Sequence, residues 1–326
     1  MRKTMIYTSH YKDQPAITLE TGHVRAQFLP TLGGKLSSLT ALDHNFDVLI
    51  HRLGASYRVQ PYDGVYIDGE CSGVDDMFPT IDLCYCEDAP WQGTKLADHG
   101  EVWSLPWSYQ IDGERLHLSV HGVRLPYRLD KTASFADERT LRIDYTLTNL
   151  SPFPFHFLWA AHPMLRQDED SRLLLPAGAT QIANVFSANG DLGGYGDVFD
   201  WPIATTPHGH TRDLSRMTPR SSGHTTKYYI KGAMPAGWCA LTYPSRKLKL
   251  EMTFPVDKVP YLGVLPGMMP TVAGADDPYI MFLEPATASF DRPDVARQRG
   301  ECSRLPGNGV YTWHLSFSLQ NDEAHD

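Results

Sequence analysis

Three short segments bring an ionisable side chain up against a turn-forming residue. Ala97-Asp98-His99-Gly100-Glu101-Val102-Trp103 sets an imidazole beside a glycine, and Leu105-Pro106-Trp107 follows. The run FHFLWAAHP, 155–163, ends a strongly apolar stretch on His162. Ile280-Met281-Phe282-Leu283 leads directly into Glu284-Pro285. An imidazole at the edge of a core has its pKa tuned by partial burial. A carboxylate that ends a buried strand needs a partner or a task. Two imidazoles and a carboxylate are the groups used for general acid–base catalysis. Taken singly, each has a plain structural explanation: a packed histidine, a strand-end acceptor, a turn residue.

Such groups need a rigid frame, and the chain reads as strands. Segments 116–120, 141–149, 239–243, 248–254 and 311–319 alternate apolar and polar residues. Leu141, Ile143, Tyr145 and Leu147 share one face, and Arg142, Asp144, Thr146 and Thr148 share the other. A helix would scatter both sets around its circumference. The 26 glycines and 24 prolines fall throughout and punctuate many short elements. Only 291–300 reads as a helical turn. The prediction is an all-β, mostly antiparallel fold forming a single domain over 1–326. The segment 181–236, with GDLGGYGD, HGHTRD and RSSGHTTKYY, reads as loops over a rim. The final QNDEAHD reads as a solvated tail.

Composition excludes several classes. The net charge is -9 with no Lys/Arg run, so a nucleic-acid partner is not expected. No apolar stretch of about 18 residues occurs, so no membrane helix is expected. The opening MRKTMIYTSHYKDQ lacks an apolar region after its basic residues, and no secretory signal is read there. Five cysteines, an odd number, suit free thiols in a cytoplasmic protein. Cys84 and Cys86 lack the spacing and second pair of a structural zinc site and are read as packing.

In order along the chain, these pieces resemble the aldose 1-epimerase, or galactose mutarotase-like, family. LPTLGGKLSSL (29–39) resembles its glycine-pair opening, and DHGEVWSLPW (98–107) its His-Gly element. The TN…W…HP element (148–163) resembles the one carrying its second histidine, and FLEPATASFDRPDVA (282–296) its late Glu-Pro element. The resemblance implies a β-supersandwich with a sugar held on the concave face of one sheet. It makes His99 and His162 the two active-site histidines and Glu284 the general base. Mutarotation opens a cyclic hemiacetal. Glu284 as carboxylate would take the anomeric hydroxyl proton, His162 as imidazolium would protonate the ring oxygen, and His99 would hold the sugar. No cofactor is implied, and the partner is a small-molecule sugar bound by a monomer or homodimer.

The sequence also departs from that family. Its well-known galactose enzymes carry an arginine before the His-Gly element. Here Ser72–Asp82 offers Asp75, Asp76 and Asp82 and no arginine. Asp75 and Asp76 are read as acceptors for sugar hydroxyls, and Arg58 as a possible replacement cation of unknown position. The family's aspartate in the second half maps loosely to Asp213, near His208, His210 and Arg212. A phosphorylated sugar would require clustered cations, for which Arg124, with Arg128, is the nearest candidate. Trp91, Trp103, Trp107 and Trp159 are available for stacking on a ring. Two other functions stay open: a non-catalytic sugar-binding or sensing protein, and a carbohydrate lyase or hydrolase drafting Glu284 with Asp75 or Asp76.

Overall fold

The computed structural model describes residues 4–188, 190–269 and 274–322. Two large antiparallel sheets pack face to face. The eight-stranded sheet runs in the order Arg172–Leu174, Trp238–Tyr243, Leu248–Thr253, Val310–Asn321, Thr140–Asn149, Tyr127–Phe135, Arg115–His121, Ser108–Asp112. Every segment that alternates in sequence lies in this sheet. Its pattern is clean because one face is buried and the other meets water. Leu141, Ile143, Tyr145 and Leu147 are all buried, as the alternation predicts.

The twelve-stranded sheet begins at Met5–Tyr11 and passes through Gln14–Glu20, Val24–Leu29 and Lys35–Ala41. Its centre is Val74–Met77, Ala160–Arg166, Tyr279–Ala286, Tyr261–Met268 and Thr226–Ile230, and Gln181–Ser187 and Val198–Asp200 close the far side. These central strands are buried on both faces. They show no alternation in sequence for that reason. One face, with Val74, Ala161, Met281, Leu283 and Tyr228, joins the core against the smaller sheet. The other, with Met77, Ala160, Met164, Phe282 and Tyr229, forms a second apolar cluster covered by loops.

The expected rim of loops over 181–236 is corrected in part. Among its described residues are five strands, and Thr226–Ile230 lies inside the large sheet, third from its far edge. Thr-Lys-Tyr-Tyr-Ile reads as polar, but all five residues are buried. The helical turn appears as Pro293–Gln298. Cys84 and Cys86 are buried on either side of exposed Tyr85, on one strand face. No grouping of His, Cys, Asp and Glu suited to a metal occurs among the described residues. No helix among them is long and apolar enough to cross a membrane. Of the C-terminal tail, Gln320 and Asn321 end a strand, and 323–326 lie outside the described residues.

Candidate active site

Strand register assembles the site. Asp75 pairs with His162. Ala160 pairs with Ala286 and Met164 with Phe282, which sets His162 opposite Glu284. Glu284 pairs with Gly263, and Gly263 with Tyr229. Asp75, His162, Glu284, Gly263 and Tyr229 therefore form one row across five neighbouring strands, all on the face away from the sandwich core. Pro163 and Pro285 lack backbone donors, and the ladder between their strands is interrupted there. Gly263 is required in the row: a Cβ on it would come within 2.7 Å of Glu284 Oε2.

His99 reaches this row from a turn. It has φ +59° and Gly100 φ +72°, the left-handed region. A Cβ on Gly100 would fall 2.2 Å from the Phe78 carbonyl oxygen, so only glycine lets the turn close there. The His99 amide donates to the Ile81 carbonyl. Its ring lies 5.2 Å from that of His162, nearly perpendicular, and stacks on Tyr66 at 4.1 Å. Asp98 Oδ2 lies 3.0 Å from His99 Nδ1 without completing a hydrogen bond.

A polar chain runs along the row. Lys35 Nζ is 2.9 Å from Asp75 Oδ2, which also accepts from the Tyr66 hydroxyl at 2.9 Å. Tyr66 Oη is 3.3 Å from His162 Nδ1. His162 Nε2 is 3.4 Å from Glu284 Oε1. Lys227 Nζ is 2.9 Å from Glu284 Oε2 and 2.9 Å from Asp291 Oδ1, to which the Tyr229 hydroxyl donates at 2.7 Å. Asp75 Oδ1 and Glu284 Oε1 are buried without a hydrogen-bond partner. Buried orphaned acceptors mark a place where a ligand's donors are awaited.

The charges are set by these neighbours. Burial lowers the His162 pKa well below the ordinary value, and His99, Lys227 and Lys35 add to the effect. Burial thus disfavours, in the free protein, the imidazolium that the resemblance assigns to His162. Burial raises the Glu284 pKa and Asp291 raises it further, against the pull of Lys227. Burial works against the Lys227 ammonium, but Asp291 and Glu284 outweigh it and its pKa moves up. Asp82, exposed on the surface, has its pKa raised by partial desolvation and then by Asp291.

Of the residues read from sequence, the structure brings together His99, His162, Glu284 and Asp75. Three others lie elsewhere. Asp76 is one residue along the strand from Asp75 and so faces the opposite side. There it meets Lys131 of the other sheet at 2.6 Å and the Trp159 indole at 2.9 Å, both buried. Asp213 closes its own turn, accepting from Ser215 and Arg216. Arg124 pairs with Asp63 at 2.7 Å and donates to the Lys95 carbonyl. Arg128 pairs with Asp130 on an exposed face. Arg58 lines, with Tyr57 and Glu70, a cleft whose walls include Lys35 and Tyr66 of the row. Trp103 packs on Tyr66 beside the site, and Trp107 and Trp159 are core.

The residues that sequence reading missed are Lys35, Tyr66, Lys227, Tyr229 and Asp291. Lys35 lies in the segment 29–39 and Asp291 in 282–296, both already noted there for other reasons. The row holds two buried lysines and no arginine among these residues.

No protein-family model and no curated protein matches the sequence. Solved structures do match. A galactose mutarotase-like protein from Clostridium acetobutylicum superposes with a TM-score of 0.64 at 11% identity, over 98% of this chain and 99% of that one. A galactose mutarotase-like protein from Lactobacillus casei gives 0.63 at 16%, over 94% and 100%. An aldose epimerase homologue from C. elegans gives 0.59 at 13%, over 98% and 99%. The chain has the galactose mutarotase-like fold. Within the mutarotase-like fold, chemistry follows from individual side chains rather than from the architecture.

Proposed function

We propose that this protein is an aldose 1-epimerase that interconverts the α and β anomers of an aldose. The observation that carries the proposal is the apposition of His162 Nε2 and Glu284 Oε1 at 3.4 Å, in a buried row that also presents His99. The printed description of the C. elegans neighbour as an aldose epimerase homologue supports the same reading.

Ring opening needs one proton removed from the anomeric hydroxyl and one delivered to the ring oxygen. With a single proton shared between them, His162 and Glu284 have two states: imidazolium with carboxylate, and imidazole with carboxylic acid. Glu284 as carboxylate takes the hydroxyl proton while His162 delivers its proton to the ring oxygen. The C1–ring oxygen bond breaks, the aldehyde forms, and the pair is left in the second state. Rotation about C1–C2 and closure on the other face of the aldehyde reverse both transfers and restore the first state. Buried sites favour the neutral pair and Lys227 favours the carboxylate, so the two states are drawn together in energy.

Asp75 and His99 are assigned to substrate hydroxyls, and no cofactor enters the scheme. A cytoplasmic monomer or homodimer is the proposed form. The hydrolase alternative needs a second free carboxylate flanking the bond, and Asp76, one of its candidates, is paired with Lys131 inside the core. The test is exchange NMR between anomers across a panel of free and phosphorylated aldoses. Acceleration of any of them supports the assignment, and sugar binding without acceleration moves it to a sensing role.

A further inference from the structure

Tyr66 belongs to no recognised motif. It lies in the single turn Tyr66–Asp68, within an irregular stretch between the strands Phe46–Asp47 and Val74–Met77. Yet it is only 2% exposed and is gripped on every side. Its ring is stacked within 9° of parallel on His99, and it meets Trp103 and His162 edge to face at 5.0 and 5.5 Å. The phenol cannot swing away from its two polar neighbours.

Those neighbours determine where its one proton goes. Lys35 has only donors, and it points one at Asp75 Oδ2 from 2.9 Å. That carboxylate oxygen therefore accepts. Tyr66 Oη is 2.9 Å from the same oxygen and donates to it. Its proton is then committed, and toward His162 Nδ1, 3.3 Å away, Tyr66 has only a lone pair to offer. A favourable contact there requires the proton to be on Nδ1. We infer that Tyr66 fixes His162 as the Nδ1–H tautomer and aims the Nε2 lone pair at the Glu284 carboxyl, which then carries the proton the pair shares, so that every proton the imidazole exchanges passes through Nε2.

Burial, and then the nearby Asp75, raise the Tyr66 pKa well above its ordinary value, so the phenol keeps its proton. Tyr66 is a positioning residue: it acts through His162. The alternative tautomer, with Nε2–H, would leave Nδ1 and the phenol oxygen facing each other as two acceptors. It would also leave Nε2 unable to accept a proton during turnover. The inference rests on the mutarotase reading for its catalytic meaning, but the tautomer exists without any substrate.

The test is long-range proton–nitrogen NMR of His162 in the free wild-type protein at neutral pH. A protonated Nδ1 with an unprotonated Nε2 is expected, and Nε2–H would overturn the inference. That measurement needs no variant. Tyr66→Phe keeps the ring and its stacking while deleting the hydroxyl. It is expected to release the tautomer preference and to lower kcat by about tenfold or more, with KM changed by no more than about twofold. A variant with wild-type tautomer and wild-type kcat would overturn it. If the wild type accelerates no aldose, the functional reading fails, and the NMR of the wild-type ring still decides the tautomer.

Discussion

The ammonium of Lys227 sits 2.9 Å from Glu284 and 2.9 Å from Asp291, joining two buried carboxylates that would otherwise repel each other. Burying one such charge unpaired is expensive, and burying two side by side more so. A lysine between them compensates their charge and opposes the rise that burial imposes on the Glu284 pKa. The Tyr229 hydroxyl, donating to Asp291, completes the arrangement on its far side.

Removing that cation by Lys227→Met leaves burial and Asp291 acting on Glu284 with only the weaker pull of His99 against them. Both raise its pKa. The acidic limb of the pH–rate profile is expected to move to higher pH, by about one unit or more, with turnover at neutral pH falling. An unmoved limb would remove Lys227 from the control of Glu284. Methylamine added to the variant is expected to restore part of the activity.

His162 links the site to stability. Its folded pKa lies below that of the unfolded chain, about 6.5. Above that value both states hold a neutral ring and the group is silent. As pH falls below it, the unfolded chain takes up a proton that the folded protein refuses. Stability is then lost, by up to about 1.4 kcal/mol per pH unit, until the folded pKa is reached. Urea denaturation at about pH 7.5 and about pH 5.5 is expected to show this loss in the wild type and a smaller one in His162→Asn.

Asp76 is as buried as its neighbour Asp75 and, like it, pairs with a buried lysine, but it faces the opposite side of the sheet. It forms a buried inter-sheet pair with Lys131, and breaking such a pair typically costs about 3–5 kcal/mol. Asp76→Ala is expected to destabilise the protein by an amount of that order. Replacing both partners, Asp76→Leu with Lys131→Met, is expected to recover much of the loss. Activity per folded molecule should stay near wild type in both, as measured by anomer exchange normalised to the folded fraction. A selective loss of activity would place Asp76 back at the sugar.

The sequence was most legible where structure meets water on one side. The strand Thr140–Asn149 declares itself because solvent enforces alternation on one face. Thr226–Ile230 was lost among loops because both its faces are buried, so Lys227 and Tyr229 read like any polar stretch. His99, His162 and Glu284 stood out through the glycine and prolines beside them. Asp75 and Asp76 were indistinguishable as text, since only the strand's pleat, fixed by pairing with Ala161 and His162, decides which one faces the site. Tyr66 and Lys35 carry no local signal, because their importance comes from partners distant in the chain.

The most direct test is two-dimensional exchange NMR on an accepted aldose, with wild type and Glu284→Gln side by side. The glutamine keeps the shape and hydrogen-bonding reach of the side chain but cannot take a proton. The wild type is predicted to accelerate anomer exchange, and Glu284→Gln to lose at least about 10²-fold of that acceleration while still binding the sugar. A variant as fast as the wild type, or a wild type that accelerates no aldose, would contradict the assignment of proton transfer to Glu284 and His162.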